Sequence, residues 1–479
     1  MSYGLYIGRN HTSDGLAYLA GYGDEPSSHW LEIVPRRQHA PGATITVGVT
    51  PAADLPGLLS EIPQVPETAR HIRVSYSYYL GVPAPLTNGG LNEHGVAVRD
   101  IWSTSRAELV AMTPKDQAGP NYSDLARIVL ERARTAREGV ELIGDLIARH
   151  GYSDYGGNSH LIADADEAWV VIQCSGGQKL WAAERLGANS IRASRPGYIG
   201  HIPVDQPRHP DFLYSNNLVD FAMAQGWYDP AAGTPFDFNK VYGDGKGPWE
   251  GARWIEDEMR ARAQRPEKIS IADIFWAVRT ERLTGDTAGY GQVVPLLPHT
   301  RSDSRHLWHT PIGAVAAPFA PVFMRMRAVP EEYRQHRYLT AGESARFLDL
   351  RHASKEDRST VSQVPQGIES TRSAAAIGKR LLYLILQHSE LFLPEVTAVW
   401  EATERRLLAA HPSVIATAET LLAVGKPDLA DEYLTYYCRT ELLRALELME
   451  MLGRSLEART RALFGISTDA DPKSPTQIW

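Results

Sequence analysis

The chain opens "MSYGLYIGRN", and Tyr3-Gly4-Leu5-Tyr6-Ile7 alternates as a half-buried β-strand does. A strand that starts this early is the strongest constraint in the sequence. Chain ends fray unless something ties them down, and pairing from residue 3 onward fixes whatever sits at position 2. That residue is Ser2. A small second residue favours removal of Met1, which would leave a hydroxyl and a free amine on one α-carbon. A serine hydroxyl needs a base within hydrogen-bond reach before it attacks an amide carbon. A neutral α-amine, with a pKa near ~7.7–8.0, is such a base. The competing reading is that a serine at position 2 is chemically idle.

Further along, "LAYLAGYGD" at 16–24, "HWLEIVPRR" at 29–37 and "HIRVSYSYYL" at 71–80 read as strands. "LTNGGLNEHGVAVRDIW" at 86–102 reads as a glycine-containing turn leading into another. Residues 123–150 switch to helical spacing, with Ser123 as the expected N-cap and Gly151 after the last periodic residue. Strands resume at 160–174, 178–186 and 188–200; short helices are expected near 216–226 and at 270–280, the latter capped by Ser270. Strands, a helix layer and strands again predict a layered α+β core with a largely antiparallel sheet. From 371 to 465 the pattern is nearly all helix, suited to packing on the core or on another subunit to form a homo-oligomer. The expected organisation is a core over 1–370 with insertions, a helical region over 371–465 and a tail over 466–479.

At 479 residues, 43% apolar and 22% charged, the composition is that of an ordinary globular protein. A net charge of −8 gives no reason to expect nucleic acid or an anionic membrane as partner. No basic segment followed by an apolar stretch opens the chain, and no run reaches the ~18 apolar residues of a spanning helix. Two cysteines, Cys174 and Cys438, suit reduced thiols in a cytoplasmic protein better than a disulfide framework. "HLWH" at 306–309 has a spacing that chelates on a helix but lacks a third ligand, and "GDGKGPWEG" at 243–251 lacks the ending of a phosphate loop. No metal or cofactor is expected.

"YIGRNHTSDGLAYLAGYGD" resembles the opening of the N-terminal-nucleophile (Ntn) dipeptidases of the A and D type, in the superfamily that also holds penicillin V acylase and bile-salt hydrolase. "GGLNEHGVAV" at 89–98, "REGVELIGDLIARHG" at 137–151, "ADADEAWVV" at 163–171, "SGGQKLWAAER" at 175–185 and "GAVAAPFAPVF" at 313–323 are similar to later family segments in the same order. The resemblance implies a four-layer αββα sandwich and hydrolysis of a dipeptide through an acyl intermediate on Ser2. Asp24 is then expected to anchor the nucleophile or its amine, and Asn92 to donate a hydrogen bond to the oxygen of the tetrahedral intermediate. The bland readings are a solvated strand-end carboxylate for Asp24 and a turn-shaping side chain for Asn92. Three positions depart from the family: its cysteine is Ser2, its arginine three before Asp24 is Gly21, and an asparagine is replaced by Arg195. Arg195 is a candidate to supply the charge missing at Gly21. These departures leave open an amidase or acyltransferase acting on a small specialised metabolite, or a non-catalytic binding module.

Overall fold

Alternation in the first strand sets the layering. The structure, a computed structural model, describes residues 2–335 and 372–465 apart from 26, 78, 207, 208 and 286. The expected tail at 466–479 and the expected boundary near 370 lie outside the described residues. The strands begin with β1 (Tyr3–Ile7), β2 (Ala17–Gly23) and β3 (His29–Val34). Two small ribbons follow: β4 (Arg37–Gln38) pairs with β7 (Glu67–Thr68), and β5 (Thr44–Gly48) with β6 (Leu59–Pro63). Next come β8 (His71–Tyr76), β9 (Leu86–Asn92), β10 (Ala97–Trp102), β11 (Asn158–Ala163) and β12 (Ala168–Gln173). The series closes with β13 (Trp181–Leu186), β14 (Ile191–Ser194), β15 (Phe212–Tyr214), β16 (Tyr290–Leu296), β17 (His306–Thr310) and β18 (Ala320–Phe323).

Two antiparallel sheets result. A six-stranded sheet has the order β14-β1-β2-β16-β17-β18, and an eight-stranded sheet the order β15-β13-β12-β11-β10-β9-β8-β3. Successive side chains on a strand point to opposite faces. On β1, Tyr3, Leu5 and Ile7 therefore join Ile255, Met259 and Phe275, from the helices Glu250–Ala263 and Ile271–Arg279. Tyr6 and Leu19 face inward and share a cluster with Leu161, Val170 and Ile172 of the other sheet. The outer face of that sheet, through Val98, Ile162 and Val171, buries Ile128, Val140 and Ile147 of the helices Tyr122–Arg132 and Ala136–His150. Helices, sheet, sheet and helices give the αββα sandwich.

The expected helical stretch at 123–150 is two helices. Asn121 caps the first in a capping box with Asp124, and Thr135 caps the second. Ser123 is inside the first helix, where its hydroxyl accepts from the Thr87 amide. Gly151 ends the second helix at φ 85°, and Ser270 caps its own helix as expected. The helix Glu250–Ala263 escaped the sequence reading. Its buried row contains small Gly251 and Ala252 beside Ile255 and Met259, which mutes the apolar signal. "HLWH" is strand, not helix, so His306 and His309 face opposite ways.

The C-terminal helices Ala374–Gln387, Ser389–Ala423 and Pro427–Phe464 cover the far end of the six-stranded sheet. His411 meets His306 of β17 at 3.1 Å. Glu404 forms a buried, two-pronged ion pair with Arg279 and accepts the Phe319 amide at 2.8 Å. Removing one partner of such a pair strands a charge in the interior. Glu404→Ala should cost about 3–5 kcal/mol of stability, read by denaturant unfolding; a loss under about 1 kcal/mol would show that the pair does not hold these helices down.

Candidate active site

Inward-facing positions on β1 are the even ones. A Cβ on Gly4 would touch Ile101 and Leu161 of the opposite sheet, and Tyr6 packs between the sheets. Ser2 continues this row and is 5% exposed. It lines a cavity of about 410 Å³. At this end the eight-stranded sheet parts. β9 and β10 pair only where Gly89, Gly90 and Leu91 oppose Arg99, Val98 and Ala97. Asp100 and Trp102 continue beyond, paired on one side with His160 and Asn158 of β11, and both line the cavity. Asp24 and Glu25, just past the end of β2, supply two more carboxylates. Tyr76, Tyr79, Tyr122 and Tyr155 complete the wall.

Ser2 Oγ donates to Glu25 Oε1 at 3.0 Å. The second Glu25 oxygen lies 3.2 Å from His29 Nε2, and His29 Nδ1 is 3.0 Å from the Ser27 carbonyl. Burial by itself would raise the Glu25 pKa. Its contacts with His29, the nearby Arg99 charge and Asn88 outweigh that and hold the carboxyl below its usual value. It is therefore an anion at neutral pH, able to accept a hydrogen bond but weak as a base. Arg99 reaches across from β10: Nη1 donates to Asn88 Oδ1 at 2.8 Å and to the Asn88 carbonyl, and Nη2 donates to the Tyr22 carbonyl of β2 at 2.7 Å. Burial lowers its pKa only to about 10, so it remains charged.

Asp24 accepts from the Thr287 hydroxyl and lies 3.8 Å from Arg195 Nη2. The Arg195 guanidinium also sits against the rings of Tyr22 and Trp249, at 5.6 and 5.2 Å, and donates to the Leu283 carbonyl. Burial brings its pKa down to about 10, again leaving it charged. Ser2, Asp24 and Arg195 are thus brought together. Gly21 pairs with Gly4 at φ 147°, and a Cβ there would collide with the Tyr3 carbonyl oxygen. The arginine implied by the resemblance has no room at this position.

Asn92 is elsewhere. Its amide nitrogen donates to the Leu130 and Ala133 carbonyls at 3.2 and 2.7 Å, closing the end of a helix. Its oxygen accepts from the His94 and Val96 amides at 3.0 and 2.9 Å. Both ends of the side chain are engaged in shaping the turn, and Asn92 is not among the described residues that line the cavity. The structure therefore does not bring Asn92 to the cavity beside Ser2 and Asp24.

Glu25, Arg99, Asp100 and the tyrosines went unread in the sequence. A signal existed for two of them: "VAVRDIW" places adjacent charges in an otherwise apolar strand, where each needs a partner. Asp100 accepts from Asn158 Nδ2 at 2.7 Å. Burial pushes its pKa up to about 8; the Asn158 hydrogen bond and Arg99 oppose the rise and Glu25 adds to it. The Tyr76 and Tyr122 hydroxyls meet at 2.5 Å, and the Tyr122 and Tyr155 rings lie 4.6 Å apart. Burial raises all three phenols well above their ordinary range, so they stay neutral.

Residues 76–248, which hold much of this wall, match Peptidase family C69. The chain is 32% identical over 182 residues to a probable dipeptidase of Salmonella dublin, covering 37% of this chain and 40% of that protein. It is 21% identical over 301 residues to a probable dipeptidase of Latilactobacillus sakei, covering 58% of this chain and 59% of that one. In both cases the match spans less than two thirds of the relative. Solved structures of a mutant and a variant of conjugated bile acid hydrolase from Clostridium perfringens align with TM-scores of 0.32 and 0.34, at 12% and 13% identity. They cover 68% and 67% of this chain and 92% of each hydrolase chain. The resemblance to dipeptidases read in the sequence is thus supported by a match over part of the chain to a peptidase family and by partial similarity to probable dipeptidases.

Two measurements probe the site's construction. Gly21→Ala should destabilise the fold by about 1–3 kcal/mol, because a side chain there is strained as well as crowded; an unchanged denaturant midpoint would refute the crowding. Asp100 holds its proton in the folded chain up to about pH 8 but ionises near ~3.9 when unfolded. The native state therefore binds the extra proton, and stability should fall as pH rises through that window, by on the order of 1.4 kcal/mol per unit from this group. Denaturant titrations of wild type and Asp100→Asn at pH 5 and pH 8 should show the steeper decline in wild type; parallel declines would contradict it.

Proposed function

We propose that the chain is an amide-bond hydrolase of dipeptidase type, with Ser2 as nucleophile and its own α-amine, exposed by removal of Met1, as base. One observation carries the reading: Ser2 is buried at the head of an internal strand, yet lines a cavity with its hydroxyl held 3.0 Å from Glu25. The family match and the probable dipeptidases support the reaction class.

In this reaction the amine takes the hydroxyl proton as Oγ attacks the amide carbon. The tetrahedral intermediate collapses as the same proton passes to the leaving nitrogen, the C–N bond breaks, and an acyl ester remains on Ser2. Water then attacks the ester, giving one proton to the amine, and the acid leaves as Ser2 Oγ takes that proton back. Glu25 aims the hydroxyl. Asp24, backed by Arg195, would hold the ammonium form of the amine through a charge-assisted hydrogen bond. A second reading makes Glu25 the base, favoured by its direct contact with Oγ. Its lowered pKa weighs against it, because a base works best with a pKa near the operating pH.

Ser2→Ala should retain its fold and lose turnover of a dipeptide panel by about 10³-fold or more. Intact-mass analysis of the active wild type should show Met1 absent. Unchanged turnover in Ser2→Ala would remove Ser2 from the mechanism. Full activity with Met1 retained would overturn the amine's role and favour Glu25.

A further inference from the structure

Each Glu25 oxygen has its own partner. Oε1 accepts from Ser2 Oγ at 3.0 Å, and Oε2 lies 3.2 Å from His29 Nε2. The His29 side chain is 1% exposed, so water does not complete its hydrogen bonding. Its other nitrogen, Nδ1, lies 3.0 Å from the Ser27 carbonyl. A carbonyl oxygen only accepts, so Nδ1 carries a proton. A neutral imidazole has one such proton, and placing it on Nδ1 would turn the bare Nε2 lone pair toward a carboxylate oxygen. The contact holds only if Nε2 or Glu25 is protonated as well. Burial opposes ionisation of Glu25, but the His29 contacts and the Arg99 charge hold its carboxyl below the usual value. The second proton therefore belongs to Nε2, and His29 is an imidazolium. Its surroundings suit a cation. The ring lies 5.4 Å from Tyr76 of β8 and 5.4 Å from Tyr290 of β16, tilted by 28° and 33°. A Cβ on Gly289 would collide with the ring, so that glycine makes room for it. Of the other titratable groups nearby, Tyr76 stays neutral through burial. Burial, with the His29 charge adding to it, brings His309 of β17 down to a pKa of about 3. Arg99 is turned to the Tyr290 hydroxyl and to Asn88.

We propose that His29 is a positioning residue for Ser2: a buried imidazolium that pins Glu25 Oε2 and so keeps Oε1 turned to the Ser2 hydroxyl. A carboxylate free at Oε2 can rotate and present either oxygen, or neither, to Oγ; one held there by a charge-assisted hydrogen bond cannot. The same contact keeps Glu25 a poor base, which leaves the hydroxyl proton to the α-amine. His29 does not line the cavity and touches no reacting atom; it acts through Glu25 alone. The catalytic consequence rests on the Ser2 hydrolase reading, whereas the charged pair beneath Ser2 does not.

The test has a spectroscopic arm and a kinetic arm, both on the full-length chain. Nitrogen-15 NMR of the histidine-labelled protein at neutral pH, with the His29 signals identified by their loss in His29→Gln, should show both ring nitrogens protonated. One bare nitrogen at His29 would overturn the proposal. In dipeptide turnover, His29→Phe keeps a ring in place but removes the donor, and kcat should fall by about tenfold or more with KM changed by less than about threefold. His29→Gln returns an N–H to the Nε2 position and should bring kcat back to within about threefold of wild type. An unchanged kcat in His29→Phe shows that Glu25 needs no pin, and an equal loss in both variants shows that only packing was lost; either result sinks the positioning role. A neutral His29 in a protein whose turnover requires Ser2 removes this inference alone. An imidazolium at His29 without Ser2-dependent turnover removes the catalytic reading and leaves the charged pair standing.

Discussion

A guanidinium buried between two sheets has to be answered on every side, and Arg99 is answered by both. Its own sheet offers the Asn88 carbonyl and side chain; the other offers the Tyr22 carbonyl and the Tyr290 hydroxyl. Stripped of these partners, a charge at this depth would cost several kcal/mol. The contact therefore ties the end of β2 to β10, the two strands from which the cavity's carboxylates come. The Arg99 charge also adds to the His29 contacts that hold the Glu25 carboxyl below its usual value against burial. A side chain that does not line the cavity thus contributes to both the geometry and the electrostatics of the site.

The division of labour between the two buried arginines follows from this arrangement. Arg195 faces Asp24 from β14's end, against the rings of Tyr22 and Trp249. The Arg99 charge acts on Glu25, helping to hold its carboxyl below the usual value. Asp100 holds its proton because of its burial, against the pull of the Asn158 hydrogen bond and the Arg99 charge. Acidic groups in three different electrostatic situations share a single cavity, and its tyrosines remain neutral throughout.

Period-two alternation at 3–7 and period-3.6 spacing at 123–150 and 371–465 were enough to read a layered α+β chain, because burial of one face imposes those periods directly. Ser2 was legible for the same reason: a strand that begins at residue 3 leaves position 2 little freedom. Asn92 was read as a site residue from its place near a turn, whereas its side chain closes that turn and a helix end away from the cavity wall. Glu25 was hidden beside Asp24, since sequence cannot say which of two adjacent carboxylates turns toward the nucleophile. The tyrosine wall draws on Tyr76, Tyr79, Tyr122 and Tyr155, brought together by the sheet and by the loop that follows the second helix. No spacing rule connects such positions. Helix Glu250–Ala263 was lost because small Gly251 and Ala252 sit in its inward row beside Ile255 and Met259.

The crowding at Gly21 bears on how such a site can change over generations. An arginine cannot enter there while the Tyr3 carbonyl keeps its present place, and Arg195 cannot leave without removing a cation from beside Asp24. Each residue makes the other's replacement harmful. Passage between this arrangement and one with the arginine on β2 is therefore epistatic: it demands coordinated substitutions or a shifted backbone intermediate, and lineages on either side of that barrier would tend to stay there.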